Sequence, residues 1–159
     1  MKIRTGLGYD VHALKKGEEL IIGGIKIEHY KGTVAHSDGD VLIHAICDAL
    51  LGAANLRDIG YRFPDTDKLL KGIDSKILLK KTGELLKQKG WKIGNIDSTV
   101  VLQKPKIKNQ IPKMQKTLAS VLEIDTEDIS IKASTTEKLG FNGKEEGISA
   151  FASVLIIKE

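Results

Sequence analysis

Hydrophobic positions along the chain fall into short β-type runs that alternate with longer helical stripes. Ile3 to Val11 reads as a strand, and Leu20 to Ile27 as two short β runs around a Gly23-Gly24 turn, a hairpin signal. Val41, Leu42, Ala45, Ile46, Ala49, Leu50 and Ala53 recur at three- and four-residue spacing and predict a helix, with Ser37 and Asp38 as candidate caps. A polar stretch rich in Gly, Pro and Asp, from Asn55 to about Asp74, predicts a long loop, and long loops in compact domains often carry function. A second helix is expected from Ser75 to Lys89, closed by Gly90.

Farther on, Ile96 to Leu102 is β-rich and ends near Pro105. Gln110 to Leu122 carries the helical stripe Ile111, Met114, Leu118, Val121, Leu122, and Ile129 to Ala133 and Ile148 to Ile157 read as strands. The expected order is three β segments, two helices, a strand, a helix and two strands. That pattern predicts an α/β (α+β) layer, a mixed β-sheet covered by helices on one face. The last strand is apolar on both alternations at its end, so its second face is expected to be covered by another subunit. No repeat, low-complexity segment or linker breaks the chain, and residues 1–159 are expected to form one domain.

Composition narrows the function classes. With 41% apolar residues over 159, the chain is long enough to bury a core without disulfides or structural metal. Its 25 Lys and Arg against 21 Asp and Glu are spread out, and aromatics make up only 4%, so no nucleic-acid partner is expected while a small anionic substrate suits the charge. Cys47 is the only cysteine and lies in an apolar stretch, which excludes an intramolecular disulfide and predicts core packing in a reducing compartment. Met1 to Gly6 has no signal-like apolar region and no window reaches membrane-span length, so a cytoplasmic protein without a membrane partner is expected.

Chemistry concentrates in a few segments. Asp10 and His12 lie near the end of the first strand, and a period of two puts both on one side, where an oxygen and an imidazole nitrogen can chelate one ion. Taken alone, the pair equally fits a surface ion pair. His44, on the helix after the polar turn His36-Ser37-Asp38-Gly39-Asp40, fits either a hydrogen-bonded core histidine or a third ligand. Two His and one carboxylate leave one tetrahedral position open, as a catalytic zinc requires. Asp48, one turn on, either fixes the His44 ring or is an exposed helix acid. The loop from Asp58 to Asp67 suits polyol hydroxyls, or is an acidic surface loop with Asx turns. Ala133 to Phe141 follows a strand and offers hydroxyls, a carboxylate and amides for a phosphate with its cation, or a capping run before a short helix.

Five segments, Gly8-Tyr9-Asp10-Val11-His12, His36-Ser37-Asp38-Gly39-Asp40, Asp58-Ile59-Gly60, Phe63-Pro64-Asp65-Thr66-Asp67 and Thr135-Thr136-Glu137-Lys138-Leu139-Gly140-Phe141, together resemble the 2-C-methyl-D-erythritol 2,4-cyclodiphosphate synthase family. The resemblance runs over essentially the whole chain in the family's order and spacing. It implies a homotrimer packed through its sheets around a central axis, with active sites between subunits. It assigns Asp10, His12 and His44 to zinc, and Glu137 to a second divalent ion, magnesium or manganese. His36 and Ser37, with Asp58, Ile59, Gly60, Phe63, Asp65 and Asp67, would hold the methylerythritol phosphate end. The neighbouring subunit would supply a cytidine pocket from Leu102, Gln103, Lys104, Pro105, Lys106, Ile107 and Lys108 and from Ala133, Ser134, Thr135 and Thr136.

The reaction so implied joins the 2-phosphate of a cytidine diphosphate ester to its β-phosphorus and expels CMP, with His36 and Thr135 as hydrogen-bond donors to the developing charge. Phe141 and Lys144 are further binding positions. Lys144 and Glu146 match positions that in some members hold an isoprenoid diphosphate in the central cavity. Tyr9 stands where Phe is common, Ser134 where Thr is usual and Lys144 where many members have Arg.

Overall fold

The computed structural model describes residues 1–159. Strand β1 (Lys2–Lys16) runs antiparallel to β7 (Gly147–Lys158) in a register from Lys2 opposite Lys158 to Ala13 opposite Gly147. On the other side of β7 lies β5 (Lys92–Val101), antiparallel to it, and beyond that β6 (Ile129–Ser134), parallel to β5. A short β4 (Lys31–Val34) pairs with Ala13 to Lys16 and completes a five-stranded mixed sheet in the order β4-β1-β7-β5-β6. The hairpin β2 (Leu20–Ile22) and β3 (Ile25–Ile27) stands apart as a two-stranded sheet. Its turn residues Gly23 and Gly24 have φ of 60° and 74°, the positive values that a two-residue hairpin turn demands.

Helices cover one face, as expected. Helix α1 (Val41–Ala53) lies across β1 and β7, α3 (Ser75–Gln88) backs α1, and α4 (Ile111–Leu122) packs against α3 and β6. The approach of α1 to β1 is set by small residues. A Cβ placed on Gly6 would lie 2.0 Å from the Ala49 carbonyl oxygen, and one on Gly8 would lie 1.9 Å from that of Ala45. Gly6, Gly8, Asp10 and His12 share one face of β1 by the period of two. The contact that seats the helix therefore also turns Asp10 and His12 toward it.

The opposite face of β1 and β7 is open and apolar, with Ile3, Leu7, Tyr9, Val11 and Phe151 exposed and the Tyr9 and Phe151 rings 4.8 Å apart. Cys47 is buried in the core and burial pushes its thiol up to about 12, so it packs and does not react. No helix is long and apolar enough to cross a membrane.

Three expectations need correction. The cap of α1 is Asp40, whose carboxylate accepts the Ile43 N–H at 3.0 Å, while Ser37 and Asp38 are spent on other contacts. Asp10 and His12 are not at the end of the first strand, because pairing with β4 and β7 carries it on to Lys16. The polar stretch from Asn55 to Asp74 is not a plain loop: it contains a one-turn helix α2 (Ile59–Arg62) and a 3-10 turn, Lys68–Leu70. Strand β4 carried no hydrophobic alternation to announce it. The helix before Gly90 ends at Gln88 with Lys89 as its cap and Gly90 at φ 76°, as the glycine indicated.

Candidate active site

Asp10 and His12 project from one face of β1, and His44 meets them from the first turn of α1. Asp10 Oδ2 lies 2.9 Å from His12 Nε2 and 3.0 Å from His44 Nδ1, and the two histidine nitrogens are 3.1 Å apart. Three donor atoms thus form a nearly equilateral triangle. A tetrahedral ion with bonds of about 2.0 Å sets its ligand atoms about 3.3 Å apart, so the triangle fits a zinc-sized divalent ion with little adjustment. The strand pair and the helix histidine converge on one point, so that Asp10, His12 and His44 together could hold an ion.

The three groups interact strongly with one another. Burial by itself would raise the Asp10 carboxyl, but hydrogen bonds from His12 and His44 outweigh it and hold the group well below the usual carboxylate range. Burial lowers His44, and the Asp10 carboxylate beside it reverses that and raises it above its ordinary value. On its far side, His44 Nε2 lies 3.1 Å from Ser37 Oγ and 2.9 Å from Ser75 Oγ. Asp48 takes neither role expected of it. Its Oδ1 accepts the Ile59 N–H at 2.7 Å and so ties the start of α2 to α1.

A cavity of about 390 Å³ opens beside the triad, lined among others by His12, His36, Ser37, His44, Ile59, Gly60, Phe63 and Asp65. Most residues expected at the methylerythritol phosphate end are therefore brought together. Asp58 and Asp67 also act as caps: Asp58 accepts the Tyr61 N–H at 2.8 Å and Asp67 the Leu69 N–H at 2.9 Å. The Asx turns expected of this loop are present, and they leave part of it lining the cavity. His36 is exposed, with Nε2 3.3 Å from the Asp67 carbonyl oxygen.

A separate cavity of about 220 Å³ is lined by Leu102, Gln103, Pro105, Lys106, Ile107, Lys108, Ala133, Ser134 and Thr135. It shares no residue with the first. Leu102 and Ile107 are buried in the core, so only their backbone can meet a ligand there. Next to it, Thr135 Oγ1 donates to Glu137 Oε1 at 3.1 Å and accepts the Glu137 N–H at 3.3 Å. Glu137 and Lys138 hold φ of 53° and 65°, left-handed values unusual outside glycine and concentrated at functional sites. The capping alternative for this run fails, because the following one-turn helix α5 (Gly140–Gly143) is preceded by Leu139 with no side-chain cap. Phe141 and Lys144 are exposed at the two ends of α5. Asp38 and Ser75, and the small residues that seat α1, were absent from the sequence-based site; Ser75 marked the expected start of a helix and nothing more.

Three side-chain donors that could hold one divalent ion beside a cavity, on a mixed sheet with helices on one face, define an α/β protein with a candidate metal centre. Residues 3–157 match the YgbB family, and the chain belongs to it. It is 65% identical to the 2-C-methyl-D-erythritol 2,4-cyclodiphosphate synthase of Bacteroides thetaiotaomicron over 159 residues, 100% of both chains. It is 66% identical to that of Parabacteroides distasonis over 156 residues, 98% of this chain and 97% of the other. Among solved structures it is similar to the bifunctional IspDF of Campylobacter jejuni, at TM-score 0.94 and 44% identity over 98% of this chain, which spans 42% of that longer one. An IspF–CDP complex from Plasmodium falciparum matches at TM-score 0.87 and 39% identity, over 99% of this chain and 97% of that one.

Proposed function

We infer that the chain converts 4-diphosphocytidyl-2-C-methyl-D-erythritol 2-phosphate to 2-C-methyl-D-erythritol 2,4-cyclodiphosphate with release of CMP, a step of the methylerythritol phosphate route to isoprenoids. Its full-length relatives bear the name of that synthase. The observation that carries the reading in this chain is the triangle of Asp10, His12 and His44 opening on the cavity of His36, Ser37 and Phe63. An oxygen of the 2-phosphate attacks the β-phosphorus; the bond from that phosphorus to the bridging oxygen breaks, and its electron pair leaves with CMP. No water is consumed. Because the nucleophile is already an anion, no Ser-His-Asp arrangement is needed, and the protein's task is to align two repelling phosphates and offset their charge.

Asp10, His12 and His44 would hold zinc, and Glu137 magnesium or manganese; bound there, such ions polarise phosphate oxygens and offset developing charge. Ser37 and the Asp58-Ile59-Gly60, Phe63, Asp65 and Asp67 segments position the methylerythritol end. His36 and Thr135 donate hydrogen bonds to the phosphate oxygens. Gln103, Lys104, Pro105, Lys106 and Lys108, backbone groups of Leu102 and Ile107, and Ala133, Ser134 and Thr136 receive the cytidine diphosphate end. CDP is the ligand named for the Plasmodium falciparum relative.

The two halves occupy separate cavities of one chain, which supports a site completed between subunits. The exposed apolar face of β1 and β7 gives a homotrimer its packing surface. At the trimer axis, Lys144 and Glu146 would meet an isoprenoid diphosphate, Lys144 as a point charge and not a bidentate fork. We place this single-domain enzyme in the cytoplasm, where its lone, buried Cys47 stays reduced.

Phosphorus NMR of purified protein with the substrate and magnesium tests the reading. Cyclic diphosphate with equimolar CMP, lost on metal stripping and restored by zinc, is the expected result. Inorganic phosphate alone would instead indicate a zinc phosphoesterase, and no turnover by folded, zinc-loaded protein would indicate a binding protein.

A further inference from the structure

We propose that Asp38 and Ser75 are positioning residues that keep the proton of His44 on Nε2 and so reserve Nδ1 for the metal. The proposal rests on the reading of Asp10, His12 and His44 as a metal site. Ser75 Oγ lies 2.9 Å from His44 Nε2 and donates a short hydrogen bond to Asp38 Oδ1. A hydroxyl has one proton, and here it is committed to a carboxylate that can only accept. Asp38 is held in that role by two more donors, the Ser75 N–H at 2.9 Å and the Asp40 N–H at 3.1 Å.

Ser75 Oγ therefore offers His44 only a lone pair, and at 2.9 Å, closer than Ser37 Oγ at 3.1 Å, it favours Nε2 as the donor. The side chain of Ser75 is fully buried, so no water replaces it. With Nε2 protonated, a neutral His44 directs the Nδ1 lone pair at the centre of the triad, 3.0 Å from Asp10 Oδ2 and 3.1 Å from His12 Nε2. The opposite tautomer would put its proton on Nδ1, hydrogen-bond to Asp10 and exclude an ion. Ser37 is oriented by the same logic. Its Oγ accepts the Gly39 N–H at 3.2 Å and faces Nε2 at 3.1 Å, which leaves its own proton free to turn into the cavity it lines.

The test compares zinc affinity, by competition with a chromophoric chelator, in the full-length wild type, Ser75→Ala and Thr82→Ala. Thr82 is a buried residue of α3 outside the site and controls for loss of a hydroxyl from that helix. Ser75→Ala is expected to bind zinc about 10–100-fold more weakly, in line with other partners that orient metal-ligating histidines, and Thr82→Ala as the wild type does. Long-range proton–nitrogen correlation spectra of the zinc-loaded wild type, which need no variant to fold, are expected to show His44 Nε2 carrying a slowly exchanging proton and Nδ1 ligated. Equal zinc affinity in folded Ser75→Ala, or ligation through Nε2, would overturn the relay while leaving the metal site standing. A folded wild type that takes up no zinc would remove the metal reading and the relay with it.

Discussion

Around His44 the chain settles its own geometry, whereas around Thr135 and Glu137 it settles little. The triad is held by a strand and a helix whose backbones touch through Gly6, Gly8, Ala45 and Ala49, and His44 is fixed on both ring nitrogens. Thr135 and Glu137 are exposed and bond chiefly to each other; the Lys138 N–H to Gln103 Oε1, at 3.2 Å, is a link from this turn to another segment. The difference follows from the ligands. A small cation binds only where donors converge before it arrives, because each misplaced donor costs a bond. The diphosphate proposed for the second region would bring its own charge and reach, so exposed donors there need less fixing in advance.

His44→Ala breaks the comparison most deeply. It is expected to remove zinc, seen by metal analysis of the purified variant, and to lower kcat/KM by more than about a thousandfold. Thr135→Ala is expected to lower kcat by about a hundredfold to a thousandfold, the usual cost of one donor to developing charge, while zinc content stays that of the wild type. Loss of zinc in Thr135→Ala would mean that the two regions are one cooperative unit; near-normal turnover in either variant would remove its assigned role.

What the sequence disclosed follows the same division. Periodicity located the longer strands and helices, and the Gly23-Gly24 turn marked the hairpin of β2 and β3; β4 and α2 hold too few residues to show a period. For Asp10, His12 and His44 the residue types suggested metal chemistry but left a surface pair and a core histidine open, and it was the family resemblance that joined them into one candidate site. Asp48 was not legible, since a helix acid one turn from a histidine looks the same whether it faces the ring or, as here, the Ile59 amide. Asp38 was read as a helix cap and Ser75 as a helix start, because their shared contact spans 37 residues and exists only once α3 backs α1. The two-cavity layout likewise depends on tertiary placement.

Leu7→Asp sharpens the comparison from outside. Leu7 is 76% exposed in the single chain, on the face assigned to subunit packing, beside Tyr9 and Phe151. A carboxylate there is expected to weaken association by about a hundredfold, as loss of a central interface anchor does. Sedimentation should then shift from trimer toward monomer, and turnover should fall with dilution while zinc per chain is unchanged. A variant that stays trimeric would place the interface elsewhere.

The smallest expected effect concerns Asp40, which joins the hairpin to α1 by accepting the N–H groups of Gly23, Gly24 and Ile43. Burial pushes its carboxyl from 3.8 up to about 6, against those amides, and the neighbouring Asp38 charge adds to the rise. A carboxyl raised by folding binds its proton more tightly in the native state, so its contribution is fully present below pH 3.8 and is lost as pH climbs through about 6. Asp10 titrates in the opposite sense, since its native value is lowered, so the whole protein's pH profile mixes the two. Subtracting the stability of Asp40→Asn isolates the buried carboxyl. The wild-type advantage in urea unfolding is expected to shrink between about pH 4 and pH 6.5 and to level off above about pH 7. A difference that does not change with pH would show that the three amides offset the burial in full, so that Asp40 takes up its proton in the folded chain as it does in the unfolded one.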